Sequence, residues 1–210
     1  MAKNILFSIL LIISGFNTNA QRYIFSLHGK IVEDQGRNAF DSVHGYGAYD
    51  YEAIIAAFKK EKFIVITEYR KPNTNVKDYA HKVAGQIDSL LKTGVKASAI
   101  SVIGASKGAL IAILTSSYLK NPNVNFVFMS ACNDYLLEDK EINFCGNILS
   151  IYEKSDPGCQ TCEKIKRKST LEMPHYKEIE LNTGLKHGYI YKPRPEWVVP
   201  ALKWAGGKYE

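Results

Sequence analysis

One serine in the sequence lies between two glycines in a pattern that could make it a nucleophile. Ser106 is the centre of the G-x-S-x-G formed by Gly104 and Gly108. The β-branched run at residues 100–103 predicts a buried strand, and the apolar residues after Gly108 recur at helical spacing. A sharp turn from strand to helix exposes the serine hydroxyl, as in a nucleophile elbow. We therefore predict that Ser106 is a nucleophile.

A serine hydroxyl is protonated at pH 7, so it needs a neighbouring base before it can attack. Asp156 follows a predicted strand over residues 148–152, and His187 follows one centred on residues 179–181. An imidazole can take the serine proton and return it to a leaving group, while a carboxylate fixes the imidazole tautomer. Three strand ends would then supply serine, carboxylate and imidazole in that order.

Other residues compete for these roles. Asp134 is the best rival acid because it follows the strand predicted over residues 126–130, and Glu153 ends the strand before Asp156. Asp156 could instead be a turn former, and His187 a surface histidine. The remaining candidate histidines precede the serine or lie at the wrong end of the sheet: His44, His81 and His175.

Strands and helices alternate through residues 21–210, and most predicted strands are continuous apolar runs. Such runs are typical of a parallel sheet that helices cover on both faces. Ligand sites in these sheets lie beyond the carboxyl ends of the strands. Residues 30–49 are predicted as a long loop, with Asp50 as the N-cap of the next helix. The six strands are expected near residues 23–27, 63–67, 100–103, 126–130, 148–152 and 179–181, and further helices near 51–60, 76–92 and 195–204.

On these residues and their order, the sequence resembles the α/β-hydrolase family over nearly all of residues 21–210. The resemblance implies a three-layer sandwich with a mostly parallel six-stranded sheet and no cap domain. It also implies an enzyme that cleaves a carboxylic ester or related acyl bond through an acyl-enzyme, with Ser106, Asp156 and His187 as its triad. Neither a cofactor nor a metal is expected. An acyltransferase, a thioesterase, a peptidase or a non-catalytic binding protein remain alternatives.

An oxyanion hole needs two backbone N–H donors aimed at the developing negative oxygen. Lys107, the residue after the nucleophile, is expected to supply one of them. The other is expected in the loop after the first strand, where His28 and Gly29 match the family's His-Gly loop. His28 would then be architectural, and either Lys30 or Ile31 would be the second donor.

Three residues near these strand ends could contact a substrate. Tyr46 and Tyr49 could line the cleft or pack beneath it, and Arg70 could meet an anionic group or remain solvated. The expected partner is a small-molecule acyl substrate. The formal net charge of +6 is scattered and no nucleic-acid motif accompanies it, so nucleic acid is not expected as a partner. The sequence leaves the oligomeric state open.

Residues 1–20 have the features of a secretory signal peptide. Lys3 precedes an apolar run over residues 5–16, and small residues precede Gln21. The apolar run is short for a membrane span, so export and cleavage are expected rather than a stable membrane anchor. Residues 21–210 would then be a single periplasmic or secreted domain.

In an oxidising compartment, the four cysteines can form disulfides. Cys132 ends the fourth predicted strand, and Cys159 and Cys162 follow the fifth at the same edge of the sheet. Cys145 precedes the fifth strand and is expected at the opposite edge, beyond the reach of a disulfide. We therefore predict that Cys132 bridges Cys162, or otherwise Cys159, and that the bridge holds the loop carrying Asp156.

Overall fold

The computed structural model describes residues 21–210, so the predicted signal peptide at residues 1–20 lies outside the described residues. The strands are β1 (Tyr23–Leu27), β2 (Phe40–Asp41), β3 (Gly47–Ala48), β4 (Ile64–Ile66), β5 (Ile100–Ala105), β6 (Asn125–Met129), β7 (Asn147–Glu153) and β8 (Tyr176–Leu181). The α-helices are α1 (Lys30–Gln35), α2 (Tyr51–Lys60), α3 (Val76–Lys92), α4 (Lys107–Leu119), α5 (Glu163–Lys168) and α6 (Pro195–Ala205). Short 3₁₀ segments are Gly36–Asn38, Ala97–Ala99, Asp134–Leu137 and Lys186–Tyr191.

The main sheet has six strands in the order β4-β1-β5-β6-β7-β8, and every neighbouring pair is parallel. Strands β5 and β6 are buried along their whole length, as expected where helices cover both faces. The prediction of a mostly parallel six-stranded sheet is confirmed. Because the strands are parallel, their carboxyl ends all meet at one edge of the sheet.

Helices cover both faces of this sheet. On one face, α2 and α6 contribute core side chains such as Phe58, Trp197 and Trp204. On the other face, α3 and α4 contribute Ile87 and Leu114. The predicted three-layer arrangement is therefore confirmed. None of the helices within residues 21–210 combines the length and apolar composition that crossing a membrane requires.

Residues 30–49 are more ordered than the long loop that the sequence predicted. They hold α1, a 3₁₀ turn and the small antiparallel pair β2–β3, in which Phe40 lies opposite Ala48. Asp50 is the N-cap residue of α2, as predicted, but its side chain makes no capping hydrogen bond, so that part of the prediction is wrong. Its backbone (φ −84°, ψ 64°) departs from the extended conformation that usually aims an N-cap side chain at the helix.

Candidate active site

Ser106 occupies a strained turn between β5 and α4. Its φ of +54° and ψ of −121° lie in a region that residues with a Cβ rarely adopt. Hydrogen bonds hold the turn on both sides. The Ser106 N–H donates to the Met129 carbonyl at 2.8 Å, and the Ser106 carbonyl accepts from Ala109 N–H at 2.8 Å and Leu110 N–H at 3.1 Å. The strain is therefore carried by a well-fixed backbone, which is the geometry of a nucleophile elbow.

Both glycines of the G-x-S-x-G pattern are sterically required. A Cβ on Gly104 would lie 2.3 Å from the Gly108 carbonyl oxygen. A Cβ on Gly108 would lie 2.0 Å from the carbonyl oxygen of Leu27, at the end of β1. The two glycines therefore let α4 approach β5 and β1 closely enough to place Ser106 at the edge of the sheet.

Asp156 and His187 form a hydrogen-bonded pair beyond the ends of β7 and β8. His187 Nδ1 lies 2.7 Å from Asp156 Oδ2, and the carboxylate also accepts from Ser130 Oγ at 3.2 Å and Gly158 N–H at 3.1 Å. Burial alone raises the pKa of Asp156, but the bonds from His187, Gly158 and Ser130 outweigh it and leave that pKa below its usual value. Since a carboxylate only accepts, His187 Nδ1 donates and Nε2 is left to take a proton.

Ser106, Asp156 and His187 all line one cavity of about 370 Å³. The structure therefore brings together the three residues predicted as a triad, from three separate strand ends. The rest of the wall is mainly apolar and aromatic, with three polar or charged side chains, those of Lys30, Asp41 and His44. These lining residues are Gly29, Lys30, Ile31, Asp41, His44, Tyr46, Tyr49, Pro157, Ile190 and Tyr191.

The predicted oxyanion segments meet next to the serine. A Cβ placed on Gly29 would lie 3.5 Å from the Ser106 Cβ, so the two backbones are in contact distance there. Helix α1 begins at Lys30 and α4 begins at Lys107. N–H groups in the first turn of a helix have no intrahelical acceptor and remain free to bind an anion. Lys30 and Ile31 both line the cavity, so both are retained as candidates for the second donor.

His28 is enclosed by backbone contacts, as its predicted architectural role requires. It is 2% exposed; its Nδ1 donates to the Gly29 carbonyl at 2.9 Å, and its Nε2 accepts from Arg70 N–H at 3.2 Å. Burial and the neighbouring Arg70 charge lower its pKa from 6.5 to about 4. The ring is therefore neutral at pH 7 and shapes the loop that ends at Gly29.

Both predicted interpretations of Arg70, contact with an anionic group of a substrate and a solvated side chain, are wrong. Its side chain is only 1% exposed, and its Nε lies 3.1 Å from a carboxylate oxygen of Glu33. Its Nη2 also donates to the His28 carbonyl. A guanidinium that is buried in this way is already neutralised inside the fold and does not line the cavity. Glu33, the carboxylate that pairs with Arg70, lies 37 positions away in the chain, so no local pattern in the sequence marks the pair.

Tyr46 and Tyr49 both line the cavity, as one of their two predicted interpretations requires. Tyr46 packs on the backbone beside the imidazole, because a Cβ on Gly188 would lie 2.8 Å from its ring. Both rings contact Tyr191, at centroid distances of 5.4 Å and 5.0 Å. Tyr49 is only 5% exposed, so it belongs to the buried core as well as to the wall of the cavity.

Sequence reasoning missed a polar cluster on the cavity wall. Asp41 Oδ2 accepts from Tyr191 Oη at 3.0 Å and lies 3.0 Å from His44 Nδ1, while Asp41 Oδ1 accepts from the His44 N–H at 2.7 Å. The short β2–β3 pair positions Asp41, whereas Tyr191 comes from a distant part of the chain. No local pattern links these residues, so the sequence carried no signal for the cluster.

The rival acids and histidines lie in other settings. Asp134 is exposed and pairs with Lys164 at 2.8 Å. Glu153 is fully buried and accepts hydrogen bonds from the backbone and side chains of two loops. His81 stacks on Tyr118, and His175 stacks on Tyr209. His44 lines the cavity, but its Nδ1 faces Asp41 rather than Asp156.

One group of side chains beside the cavity has the residue types of a metal site. Asp156, Cys159 and His187 each place a possible ligand atom within 4.8 Å of the others. However, the Asp156 carboxylate already accepts hydrogen bonds from its neighbours. Burial raises the pKa of the Cys159 thiol to about 12, and the Asp156 charge adds to this, which opposes the thiolate that metals bind. The chemistry of this group therefore fits a hydrogen-bonded cluster better than a metal centre.

A disulfide joins Cys132 and Cys162, whose Cα atoms are 5.1 Å apart and whose sequence separation is 30. Cys132 follows β6 and Cys162 precedes α5. The loop carrying Asp156 lies between β7 and this bridge. Cys145 and Cys159 are free thiols. Because Cys162 is paired with Cys132, the Cys159-x-x-Cys162 spacing does not offer two free thiols.

No protein-family profile and no curated protein sequence matches this chain. Several solved structures are similar to it. An esterase/lipase from an uncultured bacterium has a TM-score of 0.58 at 11% identity, covering 90% of this chain and 78% of that one. Arabidopsis thaliana SOBER1 has a TM-score of 0.54 at 14% identity (88% and 100% covered), and a YdeN-like hydrolase from Pectobacterium atrosepticum has 0.53 at 10% identity (90% and 94% covered). The chain has the fold of the α/β-hydrolases.

Proposed function

We propose that this chain, an α/β-hydrolase by fold, is a serine hydrolase that cleaves a carboxylic ester or related acyl bond. One observation carries the proposal: the hydrogen-bonded pair of Asp156 and His187 shares a cavity with the strained Ser106. Helix α1 begins at Lys30, which lines that cavity, and α4 begins directly after Ser106, so the first turns of both helices could offer backbone donors. Esterases among the similar solved structures agree with this chemistry, although likeness at such low identity speaks for the fold alone.

The proposed acylation step uses each of these groups once. Ser106 Oγ attacks the acyl carbon while His187 Nε2 takes its proton, and Asp156 stabilises the imidazolium that forms. The carbonyl oxygen becomes negative and is held by the N–H of Lys107 and that of Lys30 or Ile31. Donors of this kind contribute about 10²- to 10³-fold each to kcat. The leaving alkoxide then takes the proton from His187, which leaves an acyl-enzyme on Ser106.

The proposed deacylation step reverses the proton flow. His187 Nε2 takes a proton from water as the water oxygen attacks the acyl carbon, and the second tetrahedral intermediate uses the same oxyanion donors. When it collapses, the proton returns to Ser106 Oγ and the carboxylic acid leaves. Another acceptor in place of water would give an acyltransferase, and a thioester or amide in place of the ester would give a thioesterase or a peptidase.

We also propose that residues 1–20 direct export and that residues 21–210 act as a single domain in the periplasm or outside the cell. The disulfide between Cys132 and Cys162 supports this location, since such bonds persist in oxidising compartments.

A fluorophosphonate probe tests the proposed nucleophile directly, because it reacts covalently with an activated serine. Wild type is expected to be labelled, and Ser106→Ala is expected to lose the label while keeping its fold. Chromogenic esters of increasing acyl length would then define the preferred substrate. Well-folded wild type that resists the probe and hydrolyses no ester would favour the alternative of a non-catalytic binding protein.

A further inference from the structure

A buried carboxylate lies directly beneath the predicted oxyanion segments. Glu33 is on α1, one turn after Lys30, and its side chain is 0% exposed. Its Oε2 accepts from Arg70 Nε at 3.1 Å, and its Oε1 accepts from Lys107 Nζ at 2.5 Å. The Thr74 N–H also donates to Oε1 at 3.2 Å. The Glu33 carboxylate therefore accepts three directed hydrogen bonds, and two of them are charge-assisted.

The partners of Glu33 belong to the segments that carry the proposed oxyanion donors. The Lys107 backbone N–H is the donor next to Ser106, while its side-chain ammonium reaches down to Glu33. Lys30 and Ile31, the candidates for the second donor, begin the helix on which Glu33 lies. The carboxylate thus connects the two halves of the oxyanion hole through one ion pair and one turn of helix.

The loop after β4, which carries Arg70 and Thr74, also binds the segments around Glu33 and Lys107. Arg70 binds Glu33 and also donates to the His28 carbonyl, and its N–H donates to His28 Nε2 at 3.2 Å. Lys107 Nζ donates to the Thr74 carbonyl at 2.8 Å as well as to Glu33. The position of α1 relative to Lys107 is therefore fixed by several bonds, and those from Arg70 Nε, Lys107 Nζ and the Thr74 N–H all end on the Glu33 carboxylate.

Packing alone could hold α1 against α4, since apolar contacts are not directional. An oxyanion hole demands more, because its donors must lie about 2.7–3.1 Å from the place where the oxyanion forms. A carboxylate between two cations fixes both distance and direction. This requirement explains a buried charge cluster in a place where apolar side chains would suffice for stability.

We propose that Glu33 is a positioning residue that sets the separation of the two oxyanion donors. It touches no substrate, and it affects the stabilisation of the carbonyl oxygen when that oxygen becomes negative. The inference rests on the serine hydrolase function proposed above. It predicts that loss of the Glu33 charge weakens transition-state binding more than substrate binding.

The test compares Glu33→Gln with Asp34→Asn, its neighbour on α1, whose carboxylate forms an exposed pair with Lys30. The measurements are kcat and KM on a chromogenic ester and the inhibition constant of a trifluoromethyl ketone, whose serine adduct carries an oxyanion. Glu33→Gln is expected to lower kcat about 10- to 100-fold, part of the loss seen when an oxyanion donor is removed, with KM within about twofold. Its ketone inhibition constant is expected to rise by a similar factor. Asp34→Asn is expected to leave all three within about twofold.

Lys107→Met is the second variant, and circular dichroism checks the folding of each protein. It keeps the backbone N–H donor and leaves Glu33 with Arg70 as a balanced pair, so it tests the connection if Glu33→Gln does not fold. Folded variants with wild-type kcat, or with a lower kcat but an unchanged ketone inhibition constant, would overturn the inference. Failure of both variants to fold would assign Glu33 to stability and overturn it too. Wild type that neither hydrolyses esters nor reacts with a fluorophosphonate would instead refute the proposed function itself.

Discussion

Ser106 is the residue at which the proposed function and the stability of the fold conflict. Its backbone conformation, φ +54° and ψ −121°, is one that glycine adopts freely and other residues adopt at a cost of about 1–3 kcal/mol. The turn nevertheless places a side chain with a hydroxyl there. The strain is consistent with a chemical role for that hydroxyl, since packing alone would favour glycine.

Two substitutions at Ser106 separate these effects. Ser106→Ala is expected to lower ester turnover by about 10⁶-fold, the usual loss when a triad nucleophile is removed. Ser106→Gly is expected to be equally inactive but more stable than Ser106→Ala by about 1–3 kcal/mol, because it relieves the strained conformation. Urea unfolding and ester hydrolysis measure the two properties. If Ser106→Ala kept a tenth of the wild-type activity, Ser106 would be excluded as the nucleophile.

A matched pair of asparagine substitutions tests Asp156, the proposed acid of the triad. Asp156→Asn keeps the shape of the side chain but places an amide against His187 Nδ1, which disfavours the required tautomer, so kcat is expected to fall about 10⁴-fold. Asp134→Asn removes only an exposed pair with Lys164 and is expected to leave kcat unchanged. A large loss in Asp134→Asn and a small one in Asp156→Asn would place the acid after β6 instead.

At the scale of single residues, the sequence was informative where a role follows from position along a strand. Ser106, Asp156 and His187 each follow a strand, so their meeting at one edge of the sheet could be predicted. Arg70 also follows a strand, but the direction of its side chain depends on Glu33, which lies 37 positions away in the chain. Long-range pairings of this kind leave no local pattern, so the sequence could not exclude a substrate role for Arg70.

At the scale of elements, a buried carboxylate at the end of β7 connects the two loops that carry Asp156 and His187. Glu153 Oε1 accepts from the N–H and hydroxyl of Ser155, next to Asp156. Its Oε2 accepts from the Thr183 N–H at 2.9 Å and the Thr183 hydroxyl at 2.7 Å, in the loop leading to His187. These bonds keep the pKa of Glu153 below its usual value, although burial alone would raise it.

Glu153→Gln is therefore expected to impair both stability and turnover. The amide presents N–H groups to donors that need an acceptor, which is expected to cost about 1–3 kcal/mol of unfolding free energy. Displacement of either loop would also move Asp156 away from His187 and lower kcat. Glu180→Gln is the control, since Glu180 is exposed and accepts from Tyr152 Oη. Urea unfolding and kcat for both variants check this, and equal stability of the two would contradict the role of Glu153.

The elements that could be predicted from the sequence are those long enough to show a clear apolar run or periodicity. The helix predicted over residues 76–92 is α3 with the same bounds, and the six main strands lie near the predicted ones, most of which are continuous apolar runs. Helices α1 and α5 have six residues each and bury few side chains, so they carry no recognisable period. The β2–β3 pair has two residues per strand and was missed for the same reason.

At the scale of the whole molecule, the neutral His28 makes stability depend on pH. Its pKa is about 4 in the folded state and 6.5 ordinarily, so between these values the unfolded chain binds more protons. The stabilisation is complete above pH 6.5 and is lost as the pH falls toward 4, by about 3 kcal/mol. Protonation would also remove the bond that Nε2 accepts from Arg70 N–H.

Urea unfolding of wild type and His28→Gln between pH 4 and 7 measures this dependence. Carboxylates with lowered pKa values contribute in both proteins at the acidic end, so the difference between the two curves isolates His28. Wild type is expected to lose stability more steeply than the variant as the pH falls below 6.5. Parallel curves would show that His28 titrates normally in the folded protein.

The disulfide affects the whole molecule because it joins the segment after β6 to the segment between β7 and α5. It closes a loop with a sequence separation of 30 between Cys132, after β6, and Cys162, before α5. In the chain-entropy description, a loop of this length stabilises the folded state by about 3.5 kcal/mol. The closed loop contains β7 and Asp156, so the bridge limits how far the acid can move from His187.

The double substitution Cys132→Ala with Cys162→Ala tests both consequences, and it prevents Cys159 from pairing with either former partner. The unfolding free energy is expected to fall by about 2–4 kcal/mol, and kcat is expected to fall as the Asp156 loop loosens. Cys145→Ala is the control, because it removes a buried free thiol without opening the loop. Full activity in the folded double variant would limit the bridge to stability. Peptide mapping without reductant that finds Cys132 joined to Cys145 would refute the pairing, since Cys145 precedes β7 at the opposite edge of the sheet from Cys132.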